Sequence, residues 1–568
     1  MAGYRLSLVL AMLGAGSACS AARTARPPDF VHDIAPILYR ECAPCHRPGE
    51  AGPFPLLSYT DAQKRAAQIA AVTRSRYMPP WLPEHGYGDF QGERRLTAEE
   101  IQTIAAWVAA GAPEGPLSAA PSPPRFTEGW QLGKPDLVLE APTSFHVPAA
   151  GSDVYWNFVL KTAEPTIRYV RAIEIRPGSR QVVHHANLLV DRMAFSHLRE
   201  TVPGQGFPGM DLEIMRSPFD PPGHFLFWKP GSVPHIEPAG FAWRLDPGDE
   251  LVLNAHFHPT GKPELVRPSA GLYFTDQPAT HFPLVVQLEA DEQLDIPAGA
   301  RDFVVKDDFR LPLDVDALAV YPHAHYLGKL LEAYATLPDG SRKWLVRIPD
   351  WNPAWQAVYY YREPVFLPKG TVVSMRYHYD NSAANIRNPH HPPRRVEAGN
   401  QSTDEMAHLW LQLLPRGTGD RRRELQEAII RHRLEKNPKD FTANFNLGAV
   451  MLSRLDAQGA VSPLKAAVSA APMRPEARNM LGVALLRVGR SAEALAQFEI
   501  ALKLRPEYTA ARFHLANAQI EAGKLNEAIE NLRQVVAADP SDPLPKNRLK
   551  QAMAARDAQS NTHSPPAR

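Results

Sequence analysis

A 34-residue period near the C-terminus constrains the fold of this chain more than any other feature. Proline recurs at this spacing, at Pro438, Pro472, Pro506 and Pro540. Leucine and small residues recur in step with it, at Leu447, Leu481, Leu515, Gly448, Gly482, Ala516, Ala460, Ala494 and Ala528. Such a period is typical of stacked helix pairs, with small residues where helices approach each other and proline at the boundaries. The pattern predicts an α-solenoid over residues 420–556.

The repeats resemble the tetratricopeptide repeat family. Three of them span roughly residues 435–540, and a capping helix follows to about Ala555. The resemblance implies a concave surface that binds a protein partner, and a docking or dimerisation element is the alternative. The polar tail over residues 557–568 is predicted to be disordered.

Length and charge narrow the class of protein. A chain of 568 residues is too long for one hydrophobic core, so several domains are expected. The net charge of +1 provides no basic field, which argues against a nucleic-acid partner. The 56 prolines indicate many turns and ordered loops, because proline is excluded from helix interiors and central strands.

The N-terminus has the order of an export signal. Arg5 precedes an apolar stretch over residues 6–13, too short to span a bilayer, and small residues follow it. We predict a signal peptide over residues 1–22 and an exported, periplasmic protein. Cys19 offers the alternative of a lipid anchor. The rest of the sequence contains no stretch apolar enough for a transmembrane span.

A Cys-x-x-Cys-His motif near the N-terminus predicts covalent attachment of haem c. Cys42 and Cys45 would form the thioethers, and His46 would be the proximal iron ligand. A redox dithiol or half of a zinc site is the alternative, although no further cluster follows at zinc spacing. Met78 is the candidate for the second axial ligand, with His85 as its competitor.

The sequence around this motif, VHDIAPILYRECAPCHRPGEAGPFPLLSY with MPPW further on, resembles a small class I-like cytochrome c domain over residues 28–112. The resemblance implies an α-helical fold. Thr97 and Glu100 have the spacing of a capping box, at the start of a helix that Gly111 can close. A stretch rich in proline, alanine and serine within residues 113–134 predicts a semi-rigid linker.

Residues 135–414 read as β-structure. Short alternating runs such as DLVLEAP, ELVLNAHFH and VVSMRYHYD are separated by Pro-Gly and Asp-Gly turns. This pattern is typical of antiparallel β-sandwiches, and the length suits two of them, over 135–285 and 286–414.

Histidines cluster at three places in this region, at His184-His185, His256-x-His258 and His323-x-His325. Residues two apart share one face of a strand, so each of the last two clusters can direct two rings at one metal ion. Adjacent residues face opposite sides of a regular strand. The first pair can therefore bind one metal only if its strand bends or ends there, and the pattern alone leaves this open.

These clusters, together with Met406 in STDEM, resemble the copper type II ascorbate-dependent monooxygenases, the family of peptidylglycine α-hydroxylating monooxygenase and dopamine β-monooxygenase. The segment FWKPGSVPHIEPAGFAWRLDPGDELVLNAHFHPTG resembles the family segment that ends in a copper ligand, which maps to His256 rather than His258. The resemblance implies jelly-roll-like sandwiches and two copper ions. Their ligands would be His184, His185 and His256 at the first copper, and His323, His325 and Met406 at the second.

The same resemblance implies that the two copper ions have different roles. The first copper would store and relay an electron, and the second would bind O2 and hydroxylate a C–H bond of a small-molecule substrate. The thioether of Met406 suits this role because soft ligands favour Cu(I). Ascorbate is the implied reductant. The haem motif on the same chain predicts that electrons can also come from the haem, or that the haem docks an electron-donating cytochrome.

The chain departs from the family around the second copper. Tyr321 stands where the peptide-amidating member has an arginine, and His408 and Trp410 replace its Asn and Tyr. Recognition of a peptide carboxylate is therefore not expected. An aromatic pocket would suit an apolar or aromatic substrate, and plain core packing of these side chains is the alternative. Because no cysteine follows Cys45, the sandwiches are predicted to lack disulfides.

Two classes of function follow from the sequence. The first is a copper monooxygenase with haem and tetratricopeptide appendages. The second is a non-catalytic periplasmic copper and haem electron-transfer or scaffold protein whose repeats recruit a partner. The complete set of six ligands favours the enzyme.

Overall fold

The structure, a computed structural model, describes residues 26–562 except Ala51, Glu128, 180–181, Met193, Phe195, 210–221 and Ser541. The predicted signal peptide and Cys19 lie outside the described residues. The chain divides into two compact units. Within the described residues, the first comprises 26–48, 54–79 and 95–124, and the second comprises 49–53, 80–94 and 125–562.

The described part of the first unit is helical. After a π-helical turn (Phe30–Ile34), its helices are α1 (Ala35–Glu41), α2 (Tyr59–Gln63), α3 (Ala66–Arg74) and α4 (Ala98–Ala109), and a short 3-10 turn (Leu117–Ala119) follows them. Their apolar faces bury a core that includes Ile34, Leu38, Ile104 and Trp107, each fully buried. The unit is therefore a small helical body built around one core.

The predicted start of α4 is confirmed. The Thr97 hydroxyl accepts a hydrogen bond from Glu100 N at 3.1 Å, and the Glu100 carboxylate accepts one from Thr97 N at 2.8 Å, which is a complete capping box. Beyond the helix, Pro113 accepts hydrogen bonds from Trp107 Nε1 and from Phe30 N. The beginning of the proline-rich segment is thus bound to the helical core.

The second unit begins with a β-rich region of two sheet pairs. The first sheet pair contains a four-stranded sheet of order β1-β11-β4-β8 and a five-stranded sheet of order β6-β3-β9-β5-β7, which bury one apolar core between them. Its strands, with the separate two-stranded sheet of β2 and β10, are β1 (Leu137–Glu140), β2 (Phe145–Val147), β3 (Val154–Lys161), β4 (Arg168–Arg176), β5 (Val183–Asp191), β6 (Phe207–Pro208), β7 (Phe227–Trp228), β8 (Trp243–Leu245), β9 (Glu250–Phe257), β10 (Glu264–Val266) and β11 (Ser269–Thr275).

The second sheet pair consists of sheets of order β12-β21-β15-β18 and β14-β19-β16-β17, again over a shared core. Its strands, with the short additional pair β13 and β20, are β12 (Leu284–Glu289), β13 (Asp295–Ile296), β14 (Phe303–Arg310), β15 (Val315–His323), β16 (Gly328–Thr336), β17 (Arg342–Ile348), β18 (Tyr359–Leu367), β19 (Val372–Tyr379), β20 (Val396–Glu397) and β21 (His408–Pro415). The paired strands are antiparallel and their apolar residues alternate inward, as on β14.

The segment Pro80–Arg94 belongs to the second unit, although it falls within the predicted haem domain. Phe90 is buried in the core of the second sheet pair and stacks on Tyr361 with ring centroids 5.2 Å apart. Gln91 N donates to Tyr360 O at 2.8 Å. Burial of Phe90 and backbone pairing with β18 hold the segment on this sheet.

The C-terminal region is a helical repeat solenoid. Its helices are α5 (Arg422–Lys436), α6 (Phe441–Ser453), α7 (Ala457–Ala470), α8 (Pro475–Arg487), α9 (Ser491–Leu504), α10 (Thr509–Glu521), α11 (Leu525–Ala538) and α12 (Pro543–Thr562). The predicted close contacts fall at the repeated small residues. A Cβ added at Gly482 would lie 2.5 Å from the Phe498 ring, and one at Gly448 would lie 2.4 Å from Leu464.

The two ends of the solenoid differ from the simple repeat pattern. At its start, α5 packs on the second sheet pair, where Asp307 lies 2.7 Å from both His432 Nε2 and Lys436 Nζ. At its end, α12 continues to Thr562, past the expected end near Ala555, so residues 557–562 of the predicted disordered tail are helical. The rest of that tail lies outside the described residues. Within the described ranges, no helix is both long and apolar enough to cross a bilayer.

Candidate metal centre

A bulge on β5 brings the first histidine cluster together. Val183 of β5 pairs with Phe257 of β9, and His185 pairs with His256, the residue next to Phe257. His184 is therefore an extra residue without a partner position on β9. A bulge of this kind rotates adjacent side chains relative to a regular strand. The structure therefore answers what the pattern left open, because His184 and His185 both approach His256.

The geometry of this cluster is suited to a metal ion. His184 Nδ1 lies 3.2 Å from His185 Nδ1 and 3.3 Å from His256 Nδ1. The ligand atoms of the three residues all lie within 4.8 Å of one another. Imidazole nitrogens that converge from three directions, without an opposing charge among them, form a typical binding site for a transition metal.

Asp153 supports the cluster from behind. Its carboxylate lies 2.9 Å from His256 Nε2 and 2.8 Å from His258 Nδ1. Burial opposes its ionisation, but the hydrogen bonds and electrostatic interactions with His256 and His258 outweigh this and lower the pKa of Asp153. The carboxylate fixes the ring of His256 so that its Nδ1 faces the cluster, an arrangement common behind metal ligands. His258 itself points away and its side chain is 68% exposed.

Four of the imidazoles, those of His184, His185, His323 and His325, are held neutral. Burial is the largest cause that lowers the pKa of His184 to about 4, and the electrostatic effect of the neighbouring His256 is the second. Burial likewise lowers the pKa of His325 to about 4, and it lowers the pKa values of His185 and His323 well below their ordinary range. A neutral ring keeps a lone pair available for a metal, so the environment favours the ligand form of these side chains.

The second histidine pair lies at the end of β15. The rings of His323 and His325 are 5.2 Å apart and nearly perpendicular. His323 Nδ1 lies 2.7 Å from Gln356 Oε1, and His325 Nδ1 lies 3.0 Å from the carbonyl oxygen of Asp404. Because both Nδ1 atoms are engaged, the Nε2 atoms are left as the donors for a metal.

Glu405 connects this pair to Met406. The carboxylate of Glu405 is fully buried and accepts hydrogen bonds from His325 N at 2.8 Å, Leu327 N at 2.6 Å and Met406 N at 3.2 Å. Burial dominates these bonds and raises the pKa of Glu405 to about 8. Met406 is 5% exposed, and its carbonyl accepts a hydrogen bond from Tyr379. The backbone of Met406 is thus bound to the backbone that carries His325.

Aromatic side chains lie between the two clusters. Tyr321 stacks on Trp410 with centroids 5.2 Å apart, and Phe227 of the first sheet pair lies 5.3 Å from Tyr321. His408 packs edge-on to Trp410 and bonds Asp291 through Nε2 at 2.8 Å. The three predicted pocket residues therefore form one aromatic group beside His323, whose ring centroid is 6.2 Å from that of Trp410.

The haem motif follows directly after α1 in the first unit. Cys45 N and His46 N both donate to Cys42 O, so the motif forms a tight turn. Cys42 and Cys45 carry thiols rather than a disulfide, and burial raises the pKa of Cys42 to about 12. His46 Nδ1 lies 3.1 Å from the carbonyl of Phe54, which leaves its Nε2 as the donor for an iron. Burial lowers the pKa of His46 and keeps the ring neutral.

The two candidates for the second axial ligand fall in different units. Met78 belongs to the first unit, just after α3, where its N donates to Val72 O. His85 belongs to the segment Pro80–Arg94 of the second unit and its side chain is 77% exposed. Only Met78 shares a compact unit with His46.

Sequence reasoning missed three residues that support the clusters, namely Asp153, Gln356 and Glu405. Glu405 carried a weak indication, since it directly precedes Met406. Asp153 and Gln356 lie in loops without a motif, and Gln356 is 171 positions from His185, which it contacts. Contacts of this range follow from the tertiary fold and not from local spacing.

Comparison with known proteins bears on the C-terminal region. Residues 479–543 match the tetratricopeptide repeat family, which confirms the predicted repeats. The tetratricopeptide repeat domain-containing protein PYG7 of Arabidopsis thaliana chloroplasts is 28% identical over 139 residues, covering 22% of this chain and 46% of the relative. The chain thus spans about half the length of the curated relative that it matches.

Solved structures give similar matches. The crystal structure of MamA is 20% identical with a TM-score of 0.23, covering 25% of this chain and 86% of that one. The first tetratricopeptide domain of Spaghetti (RPAP3), bound to an HSP90 peptide, is 20% identical with a TM-score of 0.20. The match covers 21% of this chain and 93% of that one.

Proposed function

We propose that this chain is a copper-dependent monooxygenase that hydroxylates a C–H bond of a small molecule with O2. One oxygen atom enters the C–H bond, and the other leaves as water after uptake of two electrons and two protons. The observation that carries the proposal is the convergence of His184, His185 and His256 at the β5 bulge, which the Gln356 side chain links to a second His-x-His pair.

The two clusters have donor sets that fit copper. His184, His185 and His256 would hold the copper that stores an electron, and all three present Nδ1. His323, His325 and Met406 would hold the copper at which O2 reacts, and a thioether among the donors favours Cu(I). When bound, copper supplies one-electron redox chemistry. The role of the chain is to hold the imidazoles in place, through Asp153 at the first site and Glu405 at the second.

The aromatic group beside the second site supports an apolar or aromatic substrate. Tyr321 and Trp410 lie beside His323, Phe227 packs on Tyr321, and the Tyr321 hydroxyl donates to Gln356 Oε1 at 2.9 Å. His408, bonded to Asp291, is the polar group of this surface. Ring surfaces with few polar contacts bind substrates by stacking and burial rather than by charge.

A haem c on Cys42, Cys45 and His46, with Met78 as the second axial ligand, would supply electrons to the copper sites in addition to ascorbate or an electron-donating cytochrome. The neutral His46, oriented by the Phe54 carbonyl, supports iron ligation. Stopped-flow mixing tests this role. Haem that is reduced beforehand should oxidise when the copper(II) protein meets O2, and haem that stays reduced would contradict electron transfer.

The repeats suggest a role in binding a protein partner, because stacked helix pairs present an extended concave surface. This observation also favours a second candidate function, a non-catalytic copper and haem scaffold or electron-transfer protein. In either case, the haem motif and the N-terminal sequence support an exported, periplasmic protein.

Metal analysis and oxygen uptake separate the two candidates. Purified protein reconstituted with copper should hold about two copper ions and one haem per chain. An enzyme should consume O2 in the presence of ascorbate and an aromatic C–H substrate, in proportion to hydroxylated product. Full copper loading without product formation across apolar, aromatic and polar substrates would support the scaffold instead.

A further inference from the structure

We infer that Gln356 is a positioning residue shared by both candidate copper sites, and that it couples the geometry of one to the other. The inference rests on the proposed function. Gln356 follows a short 3-10 turn (Pro353–Trp355) in the loop between β17 and β18, and it is 3% exposed. A buried amide in a loop is costly to place unless its donors and acceptors are used, so its contacts indicate its role.

One amide group reaches ligands of both sites. Gln356 Oε1 lies 2.7 Å from His323 Nδ1 and accepts a hydrogen bond from the Tyr321 hydroxyl at 2.9 Å. Gln356 Nε2 lies 3.3 Å from His185 Nδ1. The side chain therefore connects a ring at the end of β15 in the second sheet pair to a ring on β5 in the first.

The two ends of the amide have different consequences. At Oε1, acceptance from His323 Nδ1 fixes the tautomer and leaves Nε2 of that ring for the metal. At Nε2, the amide lies 3.3 Å from His185 Nδ1, the atom that would bind copper. The single lone pair of that nitrogen cannot serve both, so with copper bound the amide would set the position of this ring by packing and not by a hydrogen bond. A substitution at Gln356 should therefore change ligand positions at both sites.

The loop that carries Gln356 is fixed to both sheet pairs. Trp351 is fully buried, and its Nε1 donates to the carbonyls of Ala324 and His325 at 3.1 and 3.2 Å. Lys229 Nζ, from the first sheet pair, donates to Trp355 O at 3.2 Å. One end of the loop is hydrogen-bonded to the His323–His325 segment and the other end to the first sheet pair. These contacts restrict the movement of Gln356.

The test compares three substitutions in the copper-loaded full chain. Gln356→Leu removes both ends of the amide. Gln356→Glu keeps the acceptor toward His323 and Tyr321 but replaces the amide donor beside His185. Gln412→Leu is the matched control, because Gln412 is equally buried in the second sheet pair and its Nε2 donates to Gly223 O, away from both clusters. The far-UV circular dichroism and haem spectra report folding in each variant.

The first site is read in isolation in a His325→Ala/Met406→Ala background, where copper(II) should bind only at the first cluster. There, Gln356→Leu and Gln356→Glu should shift the electron paramagnetic resonance hyperfine splitting of the copper, and Gln412→Leu should not. Copper binding at the second site is then measured in a His184→Ala/His256→Ala background. Gln356→Leu should weaken it about tenfold or more, and Gln356→Glu should largely preserve it.

The outcomes separate the inference from the function on which it rests. If the unsubstituted chain binds copper at both sites but Gln356→Leu behaves like Gln412→Leu, the coupling role is wrong and the copper function stands. If Gln356→Leu affects only the second site, Gln356 positions one site alone and the shared role is wrong. If the unsubstituted chain binds no copper, both fail.

Discussion

His185 lies directly opposite His256 across the β5–β9 pair, one residue after the point where the register of these strands shifts. The shift makes His184 an extra residue, so His184 and His185 both approach His256. Bulges redirect side chains in this way near functional sites. The consecutive histidines, which a regular strand would place on opposite faces, therefore act as a pair.

Replacing a member of this cluster should remove one copper ion and leave the other. We expect His184→Ala or His256→Ala to lower the copper content from about two ions per chain to about one, because two imidazoles alone bind weakly. His258→Ala is the matched control: its ring is two residues from His256 but 68% exposed, so copper content should stay near the parental value. Elemental analysis after dialysis measures the content, and equal losses in all three variants would contradict the assignment.

The sequence predicts some parts of this site better than others. The rings of His323 and His325 lie close together, as their spacing suggests, although β15 ends at His323 and His325 follows just beyond it. The bulge at His184 is not predictable, since no glycine or proline in VVHHA marks it. The amide of Gln356 reaches rings 33 and 171 positions away, and only the packed sheets bring these residues together.

The fold shows the same division between local and long-range information. The solenoid follows from its sequence because each helix pair packs mainly on its neighbours, as Gly482 does on Phe498. The segment Pro80–Arg94 could not be assigned in advance. It is short and rich in turn residues, and the burial of Phe90 against Tyr361 depends on a strand about 270 positions away.

Asp153→Asn should weaken copper binding at the first site while leaving the second unchanged. The carboxylate is bonded to His256 Nε2, and the amide would lose its charge and part of its hold on the ring orientation. Loss of such a supporting group typically costs about 10–100-fold in metal affinity. Competition with a copper chelator measures the affinity. Asp339→Asn, at an exposed turn between β16 and β17, is the control and should bind copper like the parent.

Met406→Ile should abolish oxygen-dependent turnover while preserving the haem spectrum and the copper of the first site. Isoleucine keeps an apolar side chain of similar size but removes the sulfur, so the expected loss is that of a ligand and exceeds about 100-fold. Met375→Ile is the control, because Met375 is fully buried in the same sheet pair on β19 and is not a candidate ligand. Turnover is followed by oxygen uptake, and unchanged uptake in Met406→Ile would remove Met406 from the oxygen site.

The stability of the solenoid should fall as the pH drops below the pKa of a free histidine. Burial is the main cause that lowers the pKa of His514 from 6.5 to about 4, and the positive charge of Arg487 adds to it. The Nδ1 atom of His514 lies 2.8 Å from Asn479 Oδ1. Well above pH 6.5 the ring is neutral in both the folded and the unfolded chain and does not make stability depend on pH. Between that pH and about 4, the unfolded chain takes up a proton that the folded chain does not. The free energy of unfolding should therefore decrease by up to about 1.4 kcal/mol per pH unit in this window.

Urea unfolding of the full chain, followed by far-UV circular dichroism, measures this dependence because the solenoid contributes most of the helix. His514→Gln is the matched variant, since it keeps a donor for Asn479 but does not titrate. The parent should lose more stability than His514→Gln between about pH 6.5 and 4, and the two should run in parallel above that window. Parallel behaviour over the whole range would show that His514 protonates freely in the folded repeat, which would contradict its burial between the helices.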